Sequence, residues 1–163
     1  MSLRDRLRGR ALPSERITFP QDHAAYEAAE RELQEAAAAL LEAQQRGLPT
    51  TELEARRREA QAAADAVAYV AFDLVALAPE DWEALVAAHP APAGAPEDQD
   101  YESATFHPAL LAASVTVGGE AASVEDWDAM RKAGEISPAE MNMLIHTALA
   151  LNLRVPSVRV GKG

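Results

Sequence analysis

The sequence predicts a mainly α protein: an N-terminal antiparallel helical hairpin of coiled-coil character, followed by a compact bundle of short C-terminal helices. Three observations carry that expectation. Apolar residues make up 48% of the 163 positions, yet alanine supplies much of that share and aromatics only 5%, a balance that suits helices rather than β-sandwiches. Tyr26, Ala29, Leu33, Ala36 and Leu40 recur in alternating steps of three and four. A tryptophan motif occurs twice, because Glu80-Asp81-Trp82-Glu83-Ala84-Leu85 returns as Glu125-Asp126-Trp127-Asp128-Ala129-Met130. Each Trp shares a helical face with the large apolar residue three positions on.

The elements follow in order. Residues 1–20 form a basic arm with arginines at 4, 6, 8 and 10, ending in Arg16-Ile17-Thr18-Phe19-Pro20, where Thr18 is a candidate cap for the next helix. The hairpin occupies residues 21–78. Its first helix runs from about residue 22 to 46, with Leu41 widening the stripe and Gly47 and Pro49 supplying the stop. The second begins at Thr50 or Thr51, where Thr51-Glu52-Leu53-Glu54 matches a capping box, and its stripe continues through Ala60, Ala63 or Ala64, and Val67. The short loop between them implies antiparallel packing. An alanine-rich seam lets two axes approach closely but buries little area, so the hairpin is expected to lean on the rest of the chain or on another subunit. Residues 67–77 read two ways. Val67, Val70, Leu74 and Leu77 continue the helical stripe, whereas the concentration of Val, Tyr and Phe suits a strand. A lone strand would lack a partner, so helix continuation to about Leu77 is the expectation.

Pro79, followed by acids in the first turn, opens the first Trp helix over residues 79–90. Residues 91–103 are rich in proline and acid and read as a flexible acidic linker between the hairpin and the C-terminal helices. The C-terminal helical part covers 104–154. Phe106-His107-Pro108-Ala109-Leu110-Leu111 reads as a short buried helix opened by Pro108, and Gly118-Gly119 as a turn. Ser123 caps the second Trp helix, which Arg131, Lys132 and Gly134 close. Ser137-Pro138-Ala139-Glu140 is a capping sequence with Pro at the first helical position. The final helix carries Met141, Leu144, Ile145, Ala148, Leu149 and Leu151 to Asn152. Val155-Pro156 then ends it, leaving a frayed or partner-dependent tail over 155–163. Trp82, Trp127 and Phe106 are the expected structural anchors.

Charge is unevenly distributed. The net charge is -11, and between Glu59 and Met130 there are fourteen acids and no Lys or Arg. Such a surface works against binding a phosphate backbone, which needs cations to displace counterions, and favours a basic protein partner. With no cysteine there is no disulfide and no thiolate nucleophile or metal ligand. His23, His89, His107 and His146 show no metal-ligand spacing. No Gly-x-Ser-x-Gly elbow or phosphate loop is present, and most carboxylates fall in first helical turns, where the helix dipole accounts for them. Neither an apolar run of membrane-spanning length nor a signal-peptide core appears, so the chain is expected to be soluble and cytoplasmic. The expectation is therefore a non-enzymatic protein without cofactor or metal, contacting neither nucleic acid nor membrane. Its apolar stripe residues Leu33, Leu40, Leu53, Leu144 and Ile145 are the candidates for partner binding and self-association.

Asp81-Trp82-Glu83-Ala84-Leu85, then Ala88-His89-Pro90, an acidic linker, Phe106-His107-Pro108-Ala109-Leu110-Leu111-Ala112-Ala113, a second Glu-Asp-Trp-Asp-Ala helix and Ala148-Leu149-Ala150-Leu151-Asn152 follow one another in fixed order. In that order and spacing the chain resembles the tail assembly chaperones of long-tailed, siphovirus-like phages of actinobacteria. The resemblance covers roughly residues 67–158 and, more loosely, the hairpin. It implies a non-catalytic protein that coats the tape measure protein and helps recruit tail tube subunits during tail morphogenesis. Such a protein would act in the cytoplasm of the bacterial host and be absent from the mature virion. The competing class is a structural virion component or helical adaptor module.

Overall fold

Residues 2–153 are described in a computed structural model, with elements in the order α1 (Leu3–Leu7), β1 (Ser14–Pro20), α2 (His23–Gln45), α3 (Thr51–Asp65), β2 (Tyr69–Val75), α4 (Pro79–Ala88), α5 (Ser103–Ser114), β3 (Val115–Val117), β4 (Glu120–Ala121), α6 (Val124–Ala133) and α7 (Pro138–Leu153). They fall into two units. Among the described residues, 18–70 form one, and 2–17 with 71–153 form the other.

The first unit is the hairpin. Asp22, not Thr18, caps α2: its side chain accepts the Ala25 amide at 3.0 Å, and Thr18 lies within β1. Gly47 takes a positive φ of 66° past the end of α2, a conformation that only glycine adopts without strain. The Leu48 amide then bonds the Ala43 carbonyl at 2.9 Å. Helix α3 starts at Thr51 with Thr50 as N-cap, so the Thr51–Glu54 capping box does not form. Thr50 Oγ1 instead donates to Glu54 Oε1 at 2.9 Å. Between the helices lie Ala36, Leu40, Ala43 and Ala60, all buried. An ion pair crosses beside them, Arg56 donating through Nε to Glu32 Oε1 at 2.8 Å and through Nη2 to Glu32 Oε2 at 3.2 Å. At the open end the Gln21 amide bonds the Ala68 carbonyl, and Tyr26 meets Tyr69 edge-on with centroids 6.4 Å apart.

Helix α3 ends at Asp65, and residues 69–75 are a strand, which corrects the expected helix to Leu77. The objection to a strand was the want of a partner. Two exist: β1, formed by the segment around Ile17-Thr18-Phe19, and β3 after α5, in a four-stranded sheet of order β1-β2-β3-β4. Asp73 pairs antiparallel with Thr116 and Leu74 with Val115. Strands β3 and β4 form a hairpin around Gly118 and Gly119, both at positive φ, as a tight two-residue turn requires. Arg16 grips Asp73 with Nε at 2.6 Å and Nη2 at 3.1 Å. The fold is thus mainly α with a small sheet added to the predicted helices.

The second unit is built around α5. This helix begins at Ser103, with Glu102 as N-cap, and Pro108 sits inside it instead of opening it. The earlier start brings Phe106 into helical register with Leu110, placing both on the buried face. Around them lie Leu74, Leu111, Val115, Trp127, Ile136, Leu144, Ala148 and Leu151, all buried. Ser123 caps α6 in a full capping box with Asp126, and Gly134 ends it at φ 72°. Ser137 and Glu140 reciprocate at the start of α7: the Ser137 amide donates to Glu140 Oε2 at 2.7 Å, and the Glu140 amide to Ser137 Oγ at 3.2 Å. Asn152, at the end of α7, accepts the Leu77 amide at 2.8 Å and donates to the Ala148 carbonyl at 2.7 Å. That residue therefore ties the exit of β2 to the last helix. Val155-Pro156 and the predicted tail lie outside the described residues.

Candidate functional site

Phe106 is the hub of an aromatic cluster in the α5 unit. Trp82 meets it edge-on at 5.5 Å, Tyr101 stacks on it at 3.9 Å with planes 20° apart, and His89 and His107 lie edge-on at 6.2 Å each. Offset and edge-to-face arrangements of this kind add stability beyond the area they bury. The cluster explains the course of residues 91–103. Pro90 and Tyr101 form an antiparallel bridge, the Glu102 amide bonds the His89 carbonyl at 2.9 Å, and Gln99 Nε2 donates to the Tyr101 carbonyl at 3.0 Å. The predicted linker is a closed excursion between α4 and α5 of one unit rather than a connection from the hairpin to the C-terminal helices.

An open groove of about 830 Å³ lies between α4 and this excursion. Trp82 and Tyr101 present apolar surface to it, Leu153 contributes from the end of α7, and Glu83, Asp98 and Asp100 supply acid. All three acids are exposed, and none makes an ion pair among the described residues. A second cleft, of about 590 Å³, lies on the other side of α5 and is lined by His107, Leu111, Trp127, Met141 and Ile145. Burial, with a smaller contribution from the nearby His146, pushes the His107 pKa below its ordinary value, so the ring is neutral at neutral pH. The Trp127 indole N–H is buried without a hydrogen-bond partner among the described residues.

The carboxylates with shifted pKa values have structural partners. Asp126 lies below the usual range because it accepts the Ser123 amide and hydroxyl. Asp73 is lowered by its hydrogen bonds from Arg16, Glu32 by those from Arg56, and Asp128 by Lys132 and Arg131. These shifts report caps and ion pairs, not an acid/base constellation. Among the described residues no group of three or more His, Asp or Glu side chains could hold a metal ion, and no helix is long and apolar enough to cross a membrane.

The predicted partner-binding residues do not form one surface. Leu144 is fully buried against α5, so it belongs to the core and is not a contact residue. Leu40 is 8% exposed and belongs to the hairpin seam. Leu33 and Leu53 are half-buried in the hairpin, and Ile145 is half-buried in the second cleft. The anchors differ as well, since Phe106 and Trp127 are buried while Trp82 is half-exposed on the groove. Sequence reasoning missed Tyr101, which sits among proline and acid; an aromatic residue in such a segment was the available sign that the segment packs. The sequence matches no family model, and no curated protein or solved structure matches it.

Proposed function

We propose that the chain is a phage tail assembly chaperone that binds the elongated tape measure protein and helps recruit tail tube subunits, acting without catalysis. The observation that carries this reading is the ordered series from Asp81-Trp82 through Phe106-His107-Pro108 and Glu125-Asp126-Trp127 to Ala148–Asn152. Two physical features support it. The hairpin leaves apolar side chains uncovered, Leu41 at 55% and Leu48 at 48% exposure beside half-buried Leu33 and Leu53. Shallow apolar stripes of this kind hold a helical client weakly enough for later displacement. The cation-free run from Glu59 to Met130 supplies an anionic field that speeds encounter with basic segments.

The test is co-expression with a candidate tape measure protein from the same genome, followed by binding kinetics across salt concentrations. A tape measure protein kept in solution only by this chain supports the reading. So does association that slows with salt far more than dissociation accelerates, because charge steers approach over a Debye length of about 8 Å at physiological salt while apolar burial holds the complex. A client soluble alone, or no complex at low salt, overturns it. Stoichiometric recovery of the chain in purified particles would make it a structural component instead.

A further inference from the structure

We infer that the basic arm of one copy docks into the acidic groove beside Trp82 of a second copy, so that the protein self-associates head to tail. The inference needs only this chain and stands apart from the identity of any client. The arm, residues 2–12, carries Arg4, Arg6, Arg8 and Arg10 against the single acid Asp5. It also carries leucines that its own chain leaves uncovered, Leu3 at 74%, Leu7 at 48% and Leu12 at 43% exposure. Helix α1 buries no residue and is only five residues long, too short to be stable by propensity alone. Its helical form and its bare leucines are what an element awaiting a docking surface presents.

The groove offers the complement. Glu83, Asp98 and Asp100 are exposed and make no ion pair among the described residues, Trp82 and Tyr101 give apolar and cation-binding ring faces, and no lysine or arginine is among the described residues that line the groove. In its own chain the arm does not fill this groove. Its root is held beside the groove and not in it: Arg10 and Leu12 line a neighbouring cleft that shares Trp82, Glu83 and Leu153 with the groove, and the Pro13 carbonyl accepts the Ala76 amide at 2.8 Å. None of residues 2–9 lines the groove. Arm and groove are different surfaces of one molecule, so each copy carries both halves of the contact, which propagates into a ring or an open chain of subunits unless two copies exchange arms and close as a pair. A few leucines and exposed ion pairs make a small contact, which implies weak, salt-sensitive association.

The test uses sedimentation velocity on the full chain over a concentration series at low and high salt. Two variants accompany it, an arm variant (Leu3→Ser, Arg4→Ser, Arg6→Ser, Leu7→Ser) and a groove variant (Glu83→Gln, Asp98→Asn, Asp100→Asn). Both change exposed positions and should unfold at the wild-type denaturant midpoint. Each alone should associate about tenfold more weakly than wild type, the sum of three or four modest surface contributions. Mixed together they should form one-to-one pairs, because one supplies an intact groove and the other an intact arm. A wild-type chain that stays monomeric at low salt overturns the inference. Undiminished association of either variant, or a mixture that does not pair, does so equally.

Discussion

The two units of this chain are stabilised by different means. In the hairpin the buried side chains are Ala36, Leu40, Ala43 and Ala60. Little area is buried per residue, and Arg56 reaches across to Glu32 and Glu35 at the exposed edge of the seam. In the α5 unit the buried side chains include Phe106, Trp127, Leu74, Leu110, Leu111 and Leu144. At roughly 25 cal/mol per Å² of apolar surface removed from water, one buried aromatic outweighs several alanines. The hairpin therefore depends on the close approach of its helices, to which exposed ion pairs add little, and the α5 unit on filled volume. A client or second subunit that covered Leu41 and Leu48 would add to the hairpin what its seam lacks.

This contrast is broken most sharply at Phe106. Phe106→Ala should destabilise the α5 unit by about 3 to 5 kcal/mol, the range for emptying a packed aromatic site, and Trp127→Ala should fall in the same range. Trp82→Ala, half-exposed on the groove, should lose about 1 to 2 kcal/mol, so the two copies of the Trp motif are unequal anchors. Denaturant unfolding of the three variants checks this. Equal losses at Trp82 and Trp127 would show that the groove is covered in solution.

The hairpin should respond less. Leu40→Ala removes its largest buried side chain and should lose about 2 to 3 kcal/mol, at the lower end of core truncations because small neighbours can close on the gap. Hydrogen exchange resolved by segment should show faster exchange in α2 and α3, with α5 unchanged. A loss that spread through α5 would mean that the units unfold as one.

The smallest effect is the response to pH. The folded-state pKa values of Glu32, Asp73, Asp126 and Asp128 are depressed, so the unfolded chain binds more protons than the folded one as these groups titrate. Their contribution is complete above the ordinary carboxylate range and is lost as pH falls through and below it. His107 acts in the same direction at higher pH. Its pKa is lowered in the fold, so stability declines as pH drops below its ordinary value of 6.5, and His107→Gln should remove that decline. Thermal unfolding across pH reads both, and a decline near pH 6 that persisted in His107→Gln would assign it to another group.

Local chemistry made most of the helices legible in advance. The caps at Ser123 and Ser137, the Gly134 stop, Pro79 at a first helical position, the Gly118-Gly119 turn and the α2–α3 hairpin all depend on residues within a few positions of one another. What the sequence left open depended on distant partners. Residues 69–75 satisfy helical and strand patterns alike, and β1 and β3, which decide between them, lie about fifty and forty positions away in sequence. The same holds for the candidate site. The periodic stripe selected Leu144, but a stripe cannot say whether its face meets a partner or the chain's own core, and packing against α5 made it core. Tyr101 and the groove arise because residues 96–101 fold back on Phe106 and α4, a long-range contact that composition alone read as an open linker. Backbone propensity and capping act over one helical turn and can be read along the chain, whereas strand pairing and burial require surfaces that only the tertiary structure brings together.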